Sequence, residues 1–113
     1  MHELSITQSI LELAEKVGKE HGVQRVKTIH IRVGAYSGLL PQCIQAYFDV
    51  VSQGTLAEGA RLDIQTLPVV VHCNSCGQDM EIDRRNIRCP LCASTRLKMI
   101  QGREFYLEKL EVE

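Results

Sequence analysis

Apolar residues recur at helical spacing near the start of the chain. Residues 5–21 carry them at intervals of three and four positions, which places them on one face of a helix. They are Ile6, Ile10, Leu13, Ala14 and Val17. Ser5 and Gln8 have the spacing of a capping box, and Gly22 suits the position just after a helix. The pattern predicts a helix that begins at Ser5, with residues 1–4 beside its amino terminus.

A second helix is predicted to begin at Pro41, because proline is favoured in the first turn. Gly54 marks its end. Its apolar face consists of Leu40, Ile44, Tyr47, Phe48 and Val51.

Alternating apolar and polar residues predict three strands, within residues 24–33, 62–66 and 103–112. Pro68 ends the second, so residues 68–102 are predicted to be an insertion between strands that pair. The fold prediction is α+β: two helices on a small three-stranded sheet with an inserted zinc-ribbon-like domain. Residues 1–67 plus 103–113 form one predicted domain, and residues 68–102 form the inserted one.

Composition and charge narrow the function classes. The chain has 113 residues and is too short for a large enzyme. Aromatic residues make up 4% of it and none is Trp, so a core of large aromatic side chains is not expected. A net charge of −1 disfavours nucleic-acid binding as the main activity. Residues 68–103 have six basic and three acidic residues, a net charge of +3, and the remainder has −4.

No apolar run approaches the ~20 residues of a membrane span, and no export signal is recognised, so a cytoplasmic protein is predicted.

Four of the five cysteines form two CxxC pairs separated by twelve residues. Each pair places two thiolates on one tight turn, and two such turns complete a tetrahedral zinc site. The ligands are Cys73, Cys76, Cys89 and Cys92. A redox dithiol or an iron–sulfur cluster is the alternative. Between the pairs, residues 80–82 and 86–88 are predicted to form a hairpin.

Residues around the cysteine pairs have less specific interpretations. Gly77 suits the backbone of the first turn, whereas Ala93 at the equivalent position predicts strain. His72 is either a ligand or a support of the zinc site, or an ordinary solvated or packed histidine. Cys43, on the second helix, is interpreted as a small buried apolar residue, with a reactive thiol as the alternative. His21 and His30 are interpreted as solvated.

His2 has a specific chemical possibility. The terminal amine, the His2 backbone nitrogen and the imidazole can close adjacent chelate rings around one ion, in a planar arrangement that favours Ni²⁺ or Cu²⁺ over Zn²⁺. Glu3 can supply a further donor. Spacing alone leaves open the alternative that His2 belongs to a frayed terminus.

Several motifs together resemble the HypA/HybF family, the nickel metallochaperones of hydrogenase maturation. They are the opening MHELS, the run VGAYSG at 33–38 with Pro41, the run GTLAEGA at 54–60, the four cysteines and the closing EVE. The resemblance covers essentially the whole chain in order. Two residues depart from the family pattern: Ala93 stands where glycine is common, and Cys43 stands where an apolar residue is common.

The resemblance implies that His2, with Met1 and Glu3, carries Ni²⁺ as transient cargo, and that the four cysteines hold structural Zn²⁺. It implies delivery of nickel to the [NiFe]-hydrogenase large subunit together with the maturation GTPase HypB, and in some relatives supply to urease maturation proteins. No enzymatic activity, nucleic acid or membrane is expected, and the chain is expected to be a monomer or homodimer. The alternative function is a zinc-ribbon module that binds nucleic acid or protein through its basic insertion. A small enzyme is the third hypothesis, but no nucleophile–base pair is recognisable.

Overall fold

The computed structural model describes residues 2–83 and 85–113, and His2 through its backbone alone. Met1, a predicted nickel donor, and Arg84, one of the basic residues of the insertion, lie outside the described residues. The elements in chain order are α1 His2–Glu20, β1 Val26–Gly34, α2 Pro41–Val51, β2 Arg61–Leu67, β3 Val70–Cys73, β4 Asp79–Glu81, β5 Leu97–Gln101 and β6 Phe105–Val112.

Helix α1 begins at His2, three residues before the predicted start at Ser5. The capping-box interpretation is therefore wrong, and Ser5 is an internal helical residue whose carbonyl accepts a hydrogen bond from the Ser9 hydroxyl at 3.1 Å. Nothing in residues 2–4 breaks a helix, and Glu3 in the first turn interacts favourably with the positive end of the helix dipole. The buried Thr7 hydroxyl also donates to the carbonyl of Glu3, which fixes the first turn.

Helix α2 and the first sheet follow the predicted pattern. Proline occupies the first turn of α2, and Ile44 and Phe48 from its apolar face are fully buried. The predicted three strands form one sheet in the order β2-β1-β6. Strand β2 ends at Leu67, directly before Pro68. The α+β fold with two helices and a three-stranded sheet is confirmed.

By its internal contacts the chain divides into two units. The helical unit comprises residues 1–31, 39–65 and 106–113, and the cysteine unit comprises residues 32–38 and 66–105. The predicted boundaries of independently folding domains, at residues 67/68 and 102/103, stay a prediction. In the described part of the chain, no helix has the length and apolar character needed to cross a bilayer.

The core of the helical unit lies between the two helices and their sheet strands. Helix α1 packs against α2. The fully or almost fully buried apolar residues of this unit are Ile10, Ala14, Val26, Ile29, Ile31, Ile44, Phe48, Ala57, Ala60 and Leu62. The helical unit therefore has a cluster of buried apolar residues of its own.

His30, on β1, is not the solvated residue expected from the sequence, because its side chain is only 17% exposed. Its Nδ1 lies 3.0 Å from a carboxylate oxygen of Asp63 on β2, and its Nε2 contacts the carboxylate of Glu111 on β6. The hydrogen bond with His30 lowers the pKa of Glu111 below its ordinary value. One imidazole therefore links all three strands of the first sheet.

The cysteine unit is built on a second three-stranded sheet in the order β4-β3-β5. Strand β4 pairs antiparallel with β3, and β5 pairs antiparallel with the other edge of β3. The predicted hairpin between residues 80–82 and 86–88 is therefore wrong. Its first half overlaps β4, but the partner of β4 is β3, which contains Cys73, the first of the predicted zinc ligands.

Candidate metal centre

Two turns of closely similar geometry bring the four cysteines together. In the first turn, the Gly77 amide donates to the Cys73 carbonyl at 2.8 Å, and the Cys73 amide donates to the Gln78 carbonyl at 2.9 Å. In the second, the amide at position 93 donates to the Cys89 carbonyl at 2.8 Å, and the Cys89 amide donates to the Ser94 carbonyl at 2.9 Å. Each CxxC pair thus adopts the same hydrogen-bonded turn.

The four sulfur atoms lie within 4.8 Å of one another. The Sγ atoms of Cys73 and Cys92 are 3.6 Å apart, and those of Cys76 and Cys89 are 3.7 Å apart. A tetrahedral zinc ion with Zn–S bonds of about 2.3 Å requires sulfur separations of about 3.8 Å. The cluster therefore has the size of a four-thiolate zinc site, and these four residues would hold the ion.

The acidity of the thiols also indicates a cation. The Cys76 backbone amide donates to the sulfur of Cys73 at 3.5 Å and lowers the pKa of that thiol to about 6. At Cys92 the Ser94 amide has the same effect, but the neighbouring Cys89 thiol and burial outweigh it and raise the pKa to about 12. The Cys73 thiolate forms easily, whereas the raised pKa values of Cys76 and Cys92 oppose ionisation of those two thiols, so a divalent cation would favour the thiolate form of the cluster.

Residues around the sulfurs support the cluster, and the sequence pattern did not identify them. The thioether sulfur of Met80, on β4, lies 3.7 Å from the Cys89 sulfur. The hydroxyls of Ser75 and Ser94 are 2.8 Å apart and connect the two turns directly. Serine is common in exposed turns, so its presence in the sequence does not indicate a contact. Only the folded chain shows that these two hydroxyls connect the CxxC turns.

His72 and Cys43 lie outside the cluster. His72 pairs across the strands with Asp79, and its Nδ1 is 2.6 Å from a carboxylate oxygen of that residue. Cys43, on α2 in the helical unit, is half-buried. Among the described residues, only the four clustered cysteines form a group that could hold a metal ion.

Ala93 has a backbone φ of +61°, in the left-handed region that favours glycine. The strain predicted for this position from the sequence is therefore confirmed. A Cβ there costs about 1–2 kcal/mol. We expect Ala93→Gly to stabilise the zinc-loaded protein by up to about 1 kcal/mol, since glycine relieves the strain but loses more chain entropy on folding. Urea unfolding of the zinc-loaded protein measures this.

Gly77 provides the matched control in the first turn. Its φ is +76°, and a Cβ there would have no atom within 4 Å, so Gly77→Ala introduces strain without collision. We expect it to destabilise the protein by about 1 kcal/mol. A destabilising Ala93→Gly substitution would contradict the interpretation of Ala93 as a strained residue.

Two of the residues predicted to bind nickel, His2 and Glu3, lie at the start of α1. Helix α1 places the backbone of His2 and the residue Glu3 in its first turn. A hydrogen bond with its own backbone amide is the largest of the causes that lower the pKa of Glu3. Glu3 is therefore a carboxylate at neutral pH.

Comparison with known proteins gives a consistent family. The family model described as "Hydrogenase/urease nickel incorporation, metallochaperone, hypA" matches residues 1–112. The hydrogenase maturation factor HypA of Acidithiobacillus ferrooxidans is 38% identical over 113 residues, which cover both chains entirely. HypA of Roseiflexus sp. is 41% identical over 114 residues, covering 100% of this chain and 93% of that protein. The maturation factor HybF of Salmonella typhimurium is 37% identical over 113 residues, again covering both chains.

Two solved structures share the fold. The solution structure of a HypA protein superposes with a TM-score of 0.76 at 23% identity and covers 100% of this chain and 97% of its own. The solution structure of the Ni metallochaperone HypA from Helicobacter pylori gives a TM-score of 0.69 at 23% identity, with 97% and 96% coverage. These likenesses agree with the α+β architecture described above.

Proposed function

This chain belongs to the HypA family of nickel-incorporation metallochaperones, and from that premise we propose that its amino terminus carries Ni²⁺ as cargo for hydrogenase maturation. The proposed donors are His2, with Met1 and Glu3 beside it. The proposed structural zinc ligands are Cys73, Cys76, Cys89 and Cys92. The two ions would thus bind to chemically different sites, nickel mainly to nitrogen donors and zinc to four sulfurs.

The observation that carries the proposal is the start of α1 at His2. The first amide groups of an α-helix have no carbonyl partner within the helix. The backbone nitrogen of His2 can therefore bind a metal ion without breaking a helical hydrogen bond. Together with the terminal amine and the imidazole it completes planar chelate rings, the geometry in which nitrogen donors favour Ni²⁺ over Zn²⁺.

The location of the site also suits transfer. A chelate at the end of a helix loses its ion when one ring opens, and the helix core that starts at Ile10 is unaffected. Binding of a partner at the amino terminus can therefore release nickel at a small structural cost. We propose that this exchange, without covalent chemistry, is the activity of the protein.

The zinc site serves structure in this proposal. Four thiolates complete the tetrahedron and leave no open position at which zinc could activate water or substrate. We therefore propose that the protein is not an enzyme. The zinc would fix the two CxxC turns and the strands β3, β4 and β5 to which they are attached.

The proposed partners follow from membership of the family. They are the maturation GTPase HypB and the large subunit of [NiFe]-hydrogenase, with urease maturation proteins as further recipients, since the matched family includes urease nickel incorporation. We propose that the protein acts in the cytoplasm, as a monomer or homodimer, with neither a membrane nor a nucleic acid as partner.

The test is a Ni²⁺ titration of the zinc-loaded, untagged protein beside its His2→Ala variant. We expect one nickel site in the parent protein and a loss of affinity of at least about a hundredfold in the variant, because the substitution removes the imidazole and one chelate ring. Zinc content is expected to stay unchanged. Calorimetry and the absorption bands of planar Ni²⁺ report the binding.

His21→Ala is the matched control, because His21 directly follows α1 at its opposite end. Its nickel affinity is expected to equal that of the parent protein. Equal nickel binding by the parent and the His2→Ala variant, or no binding by either, would refute the amino-terminal site.

A further inference from the structure

The cysteine unit has a cavity beside its candidate metal centre, lined by six apolar residues together with Tyr36 and Arg103. Val71 on β3 lies opposite Met99 on β5, and the next pair on the same face is Cys73 with Leu97. Antiparallel partners lie on the same face of a sheet, so the residues that floor the cavity directly adjoin the first metal ligand. The cavity volume is about 390 Å³, within the range of ligand-binding sites.

Ile82 and Ile87 also line the cavity. Both belong to the segment that the metal centre closes between Cys76 and Cys89. The Ile87 side chain is 51% exposed, although it lies at an apolar cavity. An apolar group that enters the cavity would remove this surface from water, which supplies a driving force for binding. Met99 in the floor is flexible and adapts to occupants of different shape.

A cation, Arg103, also lines the cavity. The Arg103 guanidinium lies 5.3 Å from the centre of the Tyr36 ring. The backbone of this pair is held in place, because the Tyr36 amide donates to the Gly102 carbonyl at 2.7 Å. A guanidinium that is attracted to a ring by a cation–π contact still has N–H groups for a carboxylate. Among the residues that the structure describes, no carboxylate lies within ion-pair distance of Arg103.

The charge of the whole unit favours a negative occupant. The cysteine unit has seven basic and four acidic residues, a net charge of +3, while the helical unit has six basic and ten acidic residues. Four thiolates with one zinc ion would reduce the charge of the cysteine unit to about +1. An acidic ligand is therefore attracted to this unit, and the apolar cavity selects ligands that also carry an apolar side chain.

We propose that this cavity binds an acidic segment of a partner protein, with one apolar side chain between Met99 and Ile87 and a neighbouring carboxylate on Arg103. This docking site would give the cysteine unit a recognition function in addition to the structural role of its zinc. The proposal does not rest on nickel binding at the amino terminus, and the two can fail separately.

The first experiment is selection of random decapeptides, displayed on phage, against the zinc-loaded protein. We expect enrichment of peptides in which a large aliphatic or aromatic residue neighbours Asp or Glu. The consensus peptide is then synthesised with a fluorescent label, together with a version in which Gln replaces each Glu and Asn each Asp. Fluorescence anisotropy is expected to show at least tenfold weaker binding of the amide version.

Two substitutions and two matched controls locate the site. Arg103→Gln is expected to weaken the acidic peptide about tenfold and to leave the amide version unchanged, whereas Arg96→Gln, at an exposed arginine away from the cavity, has no effect. Ile87→Ser is expected to weaken both peptides severalfold. Leu91→Ser, at a residue that is 70% exposed and does not line the cavity, leaves them unchanged.

Four results would overturn the proposal. They are selection without an acidic–apolar consensus, equal losses in the control variants, displacement of the peptide by a polynucleotide in a steeply salt-dependent manner, and self-association of the protein through Ile87. The polynucleotide result would instead support a nucleic-acid site, because phosphate contacts release counterions. All measurements use nickel-free protein, so a failed amino-terminal site leaves their outcome unaffected.

Discussion

Replacing Cys89 by serine is expected to abolish zinc binding and unfold the cysteine unit, while the helical unit stays folded. Cys89 is buried, and its sulfur lies 3.7 Å from that of Cys76, so its loss opens the four-sulfur cluster at the second turn. Structural zinc sites contribute on the order of 10 kcal/mol to folding at neutral pH. The cysteine unit is small and has only short strands, so its remaining apolar contacts are not expected to replace that free energy.

The expected result has two parts that are measured on the same sample. The zinc content of the Cys89→Ser variant falls from one equivalent to nearly none. In amide proton–nitrogen NMR spectra, resonances of the cysteine unit are expected to lose their dispersion, while those of buried residues such as Ile29 and Phe48 keep theirs, because these residues belong to the helical unit and its own cluster of buried apolar residues. Removal of zinc from the parent protein with a chelator is expected to give the same spectrum.

Cys43→Ser is the control, because Cys43 is the cysteine outside the cluster. It is expected to keep one zinc ion and a dispersed spectrum. A Cys89→Ser variant that holds zinc with the affinity of the parent protein would show that the four sulfurs are not the site. Collapse of the helical unit in that variant would show that the two units do not fold separately.

The larger elements of the fold could be predicted because their sequence patterns are long. Helix α2 has proline in its first turn and a face that buries Ile44 and Phe48, and β1 alternates between buried and partly exposed residues over positions 29–33. Pro68 correctly marked the end of β2. In each case the local pattern and the packing agree, which is the condition under which sequence predicts structure.

The strands of the cysteine unit could not be predicted in the same way. Strands β3 and β4 have four and three residues, too few to show a clear alternation, and the pairing of β4 with β3 depends on the turns that hold the metal ligands. The hairpin predicted from residues between the CxxC pairs was wrong for this reason. The cysteine spacing identified the metal centre, but only the folded chain shows Met80 and the Ser75–Ser94 contact beside it.

The start of α1 shows a different limit. Ser5 and Gln8 have capping-box spacing, yet the helix extends to His2 because residues 2–4 contain no helix breaker. The capping-box spacing shows only that a helix could begin at Ser5. It does not show that the helix must begin there, because extending it by residues 2–4 is also favourable. This difference bears on the proposed nickel site, since it places the backbone nitrogen of His2 in the first turn of the helix.

Gly34→Ala is expected to destabilise the protein by about 3–5 kcal/mol, because the backbone leaves no space for a methyl group there. A Cβ on Gly34 would lie 2.1 Å from both the carbonyl carbon and oxygen of Gly102, and 2.5 Å from the amide nitrogen of Arg103. These are backbone atoms within the same unit, so no side chain can rotate away. The hydrogen bond from the Gly34 amide to the Glu104 carbonyl, now 2.8 Å, would have to lengthen or break.

The same close approach determines where the Tyr36–Arg103 pair lies, since Tyr36 follows Gly34 by two residues and Arg103 follows Gly102 directly. Gly34→Ala is therefore also expected to weaken peptide binding at the proposed cavity.

Gly38→Ala is the control that separates steric collision from backbone strain. Gly38 has a φ of +77°, and a methyl group there would have no atom within 4 Å. We expect this substitution to destabilise the protein by about 1 kcal/mol. Urea unfolding of the zinc-loaded variants measures both. If Gly34→Ala lowers the free energy of unfolding no more than Gly38→Ala does, the backbone at Gly34 is not held against that of Gly102. The contact between these two backbone segments then does not position Arg103.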